Sequence, residues 1–216
     1  MTAFKPKEPK FRRRAEARPD EVLDAALALF TEKGFSQTTV DQIARRAGFS
    51  KGTVYLYFTS KDAILEALVE RAIAPLTGSV FDAMQGYKGD PRPVLAMFLR
   101  QVGQALSDDA VRAVPMIILR EASIAPQLAS LFRDKVLFRA LPAIAALLAQ
   151  GVQGGHIRPI DPELTARSVM GPIIAHIILF EVFSVAPDGG LQLDELVENH
   201  LQILCAGLAP LEGDAQ

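Results

Sequence analysis

An all-α fold is predicted for this chain from three observations. Apolar residues recur three and four positions apart through every long segment, no stretch of useful length alternates apolar with polar, and breaks rich in glycine and proline at 86–93, 151–162 and 187–190 cut the chain into helix-sized pieces. Half of the 216 residues are hydrophobic and 22% are charged, which supplies a substantial core and argues against disorder. The length suits one small module followed by a larger one.

Residues 1–19 are rich in Lys, Arg and Pro without apolar periodicity and read as a flexible basic arm, either a solubilising tail or a contact for a polyanion. Asp20 is placed to cap a first helix in which Val22, Ala25, Ala26, Leu29 and Phe30 share a face until Gly34 stops it. Thr39 opens a short second helix with a capping-box pattern ending in Gln42. Val40, Ile43, Ala44 and Ala47 form its buried stripe, and Gly48 ends it. Gly48-Phe49-Ser50 makes a tight turn, and Ser50 caps a third helix over 51–58. Ser60 caps a fourth, with Ile64, Leu65, Leu68, Val69 and Ala72 facing inward until Pro75 disturbs it. Further helices are predicted near 93–106, 110–123, 126–153, 162–186 and 192–208.

The charge is unevenly divided. Residues 1–75 hold thirteen Lys and Arg against ten Asp and Glu, and the remainder holds ten against fifteen. A polyanionic partner is therefore expected at the N-terminal end. There, two short helices joined by a glycine-containing turn form a helix-turn-helix arrangement, in which the first helix braces the second across a DNA major groove. With Val54 and Phe58 spaced to point inward, Lys51, Thr53, Tyr55 and Tyr57 are left on the outer side. Lys51 and Lys61 can neutralise phosphates, the tyrosines can donate to phosphate oxygens, and Thr53 offers a hydroxyl and a methyl to a base edge. Gly52 lets the helix start approach the duplex closely, and Thr39 lies beside a helix N-terminus that attracts phosphate.

The stretch from Thr38 to Lys61, Thr38-Thr39-Val40-Asp41-Gln42-Ile43-Ala44 through Gly48-Phe49-Ser50-Lys51-Gly52-Thr53-Val54-Tyr55-Leu56-Tyr57-Phe58 to Lys61, closely resembles the DNA-binding signature of the TetR family. Phe49 stands where that family often has a smaller aliphatic residue. The resemblance implies a DNA-binding domain over 20–74, of three helices joined by a fourth to a larger helical effector-binding and dimerisation domain over 75–216. It also implies a homodimer on a near-palindromic double-stranded operator, usually acting as a repressor that a small molecule releases, with an activator as the alternative because the outcome depends on where the operator lies relative to a promoter. By position, Thr39, Lys51, Gly52, Thr53, Tyr55, Tyr57 and Lys61 correspond to family positions that touch DNA. The pairing helices are expected in Val169–Val185 and Leu193–Leu208.

A switch of this kind needs a pocket. Met97, Phe98, Met116, Ile117, Phe132, Phe138, Met170 and Phe180 are candidate apolar liners or ordinary core. Arg120, Glu121, His176 and Glu181 interrupt apolar sequence, and each either orients a ligand or joins an internal ion pair or interface hydrogen bond. From these, Met116, Arg120, His176 and Phe180 are taken as the effector-site candidates, for a small and largely apolar effector.

Other classes find little support. His156, His176 and His200 lack zinc-ligand spacing, no glycine loop is placed to cradle a phosphate, and Cys205 has nothing basic beside it in sequence, so neither an enzyme nor a cofactor or metal site is expected. A helical binding module that had lost its reader would lack the cationic and hydroxyl residues, and they are present. No apolar run follows the basic N-terminus, so export is not expected and a cytoplasmic protein is. Val169–Ala186 approaches the length of a membrane span, but Gly171-Pro172, His176 and Glu181 within it favour a buried helix and no membrane partner.

Overall fold

The computed structural model describes residues 10–77 and 83–210 of the chain, and the described residues form helices and turns without a strand. The reading head consists of α1 (Lys10–Lys33), α2 (Val40–Ala47), α3 (Lys51–Tyr55) and α4 (Lys61–Thr77). Beyond it lie α5 (Pro91–Ser107), α6 (Asp109–Glu121), α7 (Pro126–Phe132), a π-turn (Arg133–Leu137), α8 (Phe138–Gln153), α9 (Pro162–Glu181) and α10 (Leu193–Leu208).

Local chemistry fixes the ends of the short helices. Gly34, at φ +84°, closes α1 by donating to the Phe30 carbonyl at 2.9 Å, and the Phe35 ring then folds against Phe30 with centroids 5.1 Å apart. Thr39 and Gln42 form the reciprocal capping box at the start of α2, and Gly48 ends it in the left-handed region. The Ser50 hydroxyl caps α3 by accepting from the Thr53 amide, and the Ser60 hydroxyl caps α4 by accepting from the Ala63 amide.

Five boundaries differ from expectation. Asp20 caps nothing, because α1 already runs from Lys10. The segment Arg12-Arg13-Arg14-Ala15-Glu16-Ala17-Arg18 consists of strong helix formers, and Pro19 removes one backbone donor without stopping the helix. The described part of the basic arm is thus helical, while residues 1–9 of it lie outside the described residues. Regular α3 ends at Tyr55, since Leu56 and Tyr57 donate to carbonyls only three residues back and tighten the last turn. Pro75 falls within α4, which continues to Thr77. The 126–153 helix contains the π-turn immediately before Phe138, where Pro142 deprives the Phe138 carbonyl of its usual donor. Finally, α9 unwinds at Glu181 into wider turns, with Phe183 donating to Ile178 and Val185 to Leu179 before Ser184 and Pro187 redirect the chain.

Two cores result. The first joins the inward stripes of α1–α4 to Val114, Ile117 and Ile118 of α6 and to Ala125 and Leu128. The second gathers α5, α8, α9 and α10 with Met84 and Met116. Helix α6 belongs to both, presenting opposite sides to each. The stretches Pro126–Gln153 and Pro162–Glu181 are long and apolar enough to cross a membrane by length and composition. Each nonetheless packs a stripe into these cores, Ile144, Leu147 and Leu148 from one and Val169, Ile173 and Ile177 from the other.

Candidate nucleic-acid interface

The helix-turn-helix is built around side chains that cannot serve a ligand. Ile43, Ala44 and Val54 are fully enclosed, and Phe49 and Phe58 pack against the same core. Fixing Val54 inward turns the remainder of α3 outward. Tyr55 is 46% exposed, Tyr57 36% and Leu56 80%, too open for core residues, and Lys51 and Gly52 are exposed beside them. Thr53 is half-buried, its hydroxyl 2.8 Å from that of Ser50. Thr39 is exposed at the start of α2, and because its oxygen accepts from the Gln42 amide its own proton remains to donate. Of the seven residues expected to face a duplex, Thr39, Lys51, Gly52, Tyr55 and Tyr57 are therefore exposed at the start of α2, on α3 and in the turn after it, with Thr53 half-buried among them.

At Gly52 an added Cβ would meet only the Ser50 hydroxyl, at 3.8 Å, so the fold itself does not require glycine there. Gly52→Ala is accordingly expected to leave the urea midpoint unchanged or raise stability by up to about 1 kcal/mol through helix propensity, while weakening duplex binding. A destabilised Gly52→Ala protein would show that the glycine serves the fold.

The seventh residue, Lys61, is turned away from that surface. Its ammonium turns inward, donating to the carbonyls of Phe35 at 2.7 Å, Thr38 at 2.9 Å and, more weakly, Ser36 at 3.5 Å, and it stands 4.2 Å from the Phe35 ring centroid. All three protons are committed to the turn after α1, and burial pushes the ammonium pKa below its ordinary value. In this structure Lys61 serves as a cap for that turn.

The surrounding cations are mostly paired. Arg46 binds Glu32 of α1 at 2.7 Å, and that hydrogen bond holds the Glu32 carboxyl below its ordinary range; Arg45 pairs with Asp41 within α2. Arg18 lies 5.9 Å from the centroid of the Phe49 ring. The bulk of Phe49, noted as unusual in the sequence, thus gives the basic end of α1 a flat surface beside the turn.

The four effector-site candidates do not line one pocket, although His176 and Phe180 lie one helical turn apart on α9. Met116 is buried in the second core. Arg120 is exposed on the outer side of α6 next to Leu119, because the inner side is taken by Val114, Ile117 and Ile118. His176 is half-buried and donates from Nε2 to the Leu191 carbonyl. Phe180 lines an open groove of about 380 Å³ with Arg112, Leu191 and Leu193. Arg112, which sequence reasoning missed, is the buried cation of this region. It donates to Glu181 at 2.8 Å, to Asp109 at 2.5 Å and to the Leu106 carbonyl at 2.8 Å. Burial opposes its charge, but the bonds to Glu181 and Asp109 outweigh burial and hold its pKa above the ordinary value. Glu181 is thereby one half of an internal ion pair, the second alternative weighed for it; the signal that could have found its partner was an arginine followed by the apolar run Ala113 to Leu119.

The description "Bacterial regulatory proteins, tetR family" matches residues 22–68, and "Tetracyclin repressor-like, C-terminal domain" matches residues 88–186. The fatty acid metabolism regulator protein of Bacillus subtilis is 26% identical over 193 residues, covering 87% of this chain and 94% of that protein. The complex of SmeT with triclosan, SmeT being the repressor of a Stenotrophomonas maltophilia multidrug efflux pump, superposes with a TM-score of 0.72 at 25% identity. It covers 93% of this chain and 95% of that one. FadR from Bacillus subtilis with stearoyl-CoA gives 0.71 at 24% identity, over 88% of this chain and 98% of that one, and shows the shared fold.

Proposed function

Because this chain belongs to the TetR family of bacterial transcriptional regulators and is not an enzyme, we propose that it is a repressor that grips a near-palindromic operator as a homodimer and releases it on binding a small, largely apolar effector. The observation that carries this reading is the outer face of α3, where Lys51, Gly52, Thr53, Tyr55 and Tyr57 surround an enclosed Val54. Lys51, Tyr55 and Tyr57 would hold phosphates and Thr53 would meet a base edge, with Thr39 adding a phosphate contact from α2. Residues 20–74 do the reading and 75–216 the sensing and pairing, in the cytoplasm.

Dimerisation is supported by the apolar side chains that α9 and α10 leave in solvent, among them Ile174, Leu179 and Ile203. A two-fold axis through these helices would set two copies of α3 on successive major grooves, about 34 Å apart. Stearoyl-CoA on FadR and triclosan on SmeT, both ligands with large apolar parts, support an apolar effector. Phe180 and the His176-anchored Leu191 are where such a ligand would meet the groove wall.

Fluorescence anisotropy across a salt series tests the reading, comparing DNA from upstream of the chain's own gene with a duplex selected from random sequence and with a shuffled control. Affinity for the preferred duplex is expected to exceed that for the control by about 10³ or more and to fall steeply with salt. Equal, weak binding to every duplex, the selected one included, would refute it.

A further inference from the structure

Glu121 is the last residue of α6, yet its side chain belongs sterically to the reading head. Oε2 accepts twice from Ser36, from the backbone N–H at 3.1 Å and from the hydroxyl at 2.5 Å. Oε1 lies in the space beside Gly34 that a Cβ would occupy, so a side chain at that position would displace the carboxylate. The same turn is also held by Lys61, whose ammonium gathers the carbonyls of Phe35, Ser36 and Thr38. Thr39, the cap of α2, follows directly.

From this geometry we infer that Glu121 is a positioning residue for DNA binding: a side chain of the C-terminal domain fixes the 34–38 turn and so sets the start of α2 and Thr39. The inference rests on the DNA-reading function proposed above. A turn held by both a carboxylate and an ammonium meets a phosphate already ordered, whereas a loosened turn must be ordered when the duplex binds. Since α6 runs from the Arg112 groove at its start to Glu121 at its end, the same rigid helix joins that groove to the reading head.

The test is operator affinity of full-length variants, measured well below their melting temperatures on the duplex selected from random sequence. Glu121→Ala is expected to weaken binding about tenfold, as suits loss of a charge-assisted hydrogen bond, and Glu121→Gln, which keeps an acceptor for Ser36, about threefold. Ser36→Ala in the Glu121→Ala background is expected to add less than about twofold, because both changes break one contact. Amide exchange at Ser36 is expected to quicken about tenfold in Glu121→Ala, an effect that loss of global stability alone would spread over the whole chain. Tyr55→Ala serves as the control for the reading surface. If Tyr55→Ala loses affinity while Glu121→Ala stays within twofold of the parent, the positioning role is overturned and the reading function stands. Losses that multiply in the double variant also overturn it, and a parent that prefers no duplex overturns both.

Discussion

Arg112→Ala is expected to be among the damaging single changes in the C-terminal domain, costing about 3 kcal/mol and lowering the melting temperature by roughly 8 °C. The Arg112 side chain is only 8% exposed, and its donors supply the Glu181 carboxylate together with the Leu106 and Ser107 carbonyls. Truncation leaves that carboxylate, 27% exposed, and those part-buried carbonyls without their charged donor. The bond to Asp109 adds little to this, since Asp109 is 92% exposed and is readily hydrated when released. Glu181→Gln keeps an acceptor for the guanidinium and should cost about 1 kcal/mol, whereas Arg112→Met fills the volume but leaves Glu181 unpaired and should resemble Arg112→Ala. Urea denaturation monitored by circular dichroism distinguishes these variants, and a loss below 1 kcal/mol for Arg112→Ala would mean that water replaces the guanidinium without cost.

Lys61→Met should lower stability by about 2 kcal/mol while leaving the salt dependence of DNA binding untouched. The methionine preserves the stem and removes the ammonium, so the carbonyls of Phe35 and Thr38 lose their donor and the Phe35 ring its cation. Lys61→Arg should not rescue it, because a planar fork cannot converge on carbonyls gathered around one point. Lys51→Ala is the contrasting variant: an exposed lysine on the reading surface should leave the melting temperature in place and reduce the slope of log affinity against log salt by about 2 for a dimer, one phosphate per protomer. If Lys61→Met reduces that slope instead, its ammonium leaves the turn for phosphate in the complex.

What could be read from the sequence was what neighbouring residues decide. The Thr39–Gln42 box, the Gly34 and Gly48 stops and the Ser50 and Ser60 caps each depend on partners within four residues, and all of them form. Val54 inward with Tyr55 and Tyr57 outward follows from helical spacing alone. The role of Lys61 did not follow, because its partner carbonyls lie 23 to 26 residues earlier in the chain. Arg112 and Glu181 are 69 residues apart and Glu121 and Ser36 are 85, distances at which no periodicity pairs one charge with another. The exposure of Arg120 did not follow for a related reason: an apolar run shows that a helix is buried on some side, and only the packed neighbours decide which residues fall outside. The extent of α1 was missed because Asp20 and Pro19 resemble a helix start, while the helix formers upstream carry the helix past them.

The sharing of α6 between the two cores limits how such proteins can be recombined. Val114, Ile117, Ile118, Ala125 and Leu128 close the bottom of the reading head, although they come long after its last helix in sequence. A chimera that joins residues 20–74 to a foreign sensor would leave Leu68, Val69 and their neighbours facing side chains shaped for another partner. Portable specificity in this scaffold therefore travels as a discontinuous unit, α1–α4 together with α6 and the start of α7, and the graft boundary lies in space and not at any single peptide bond.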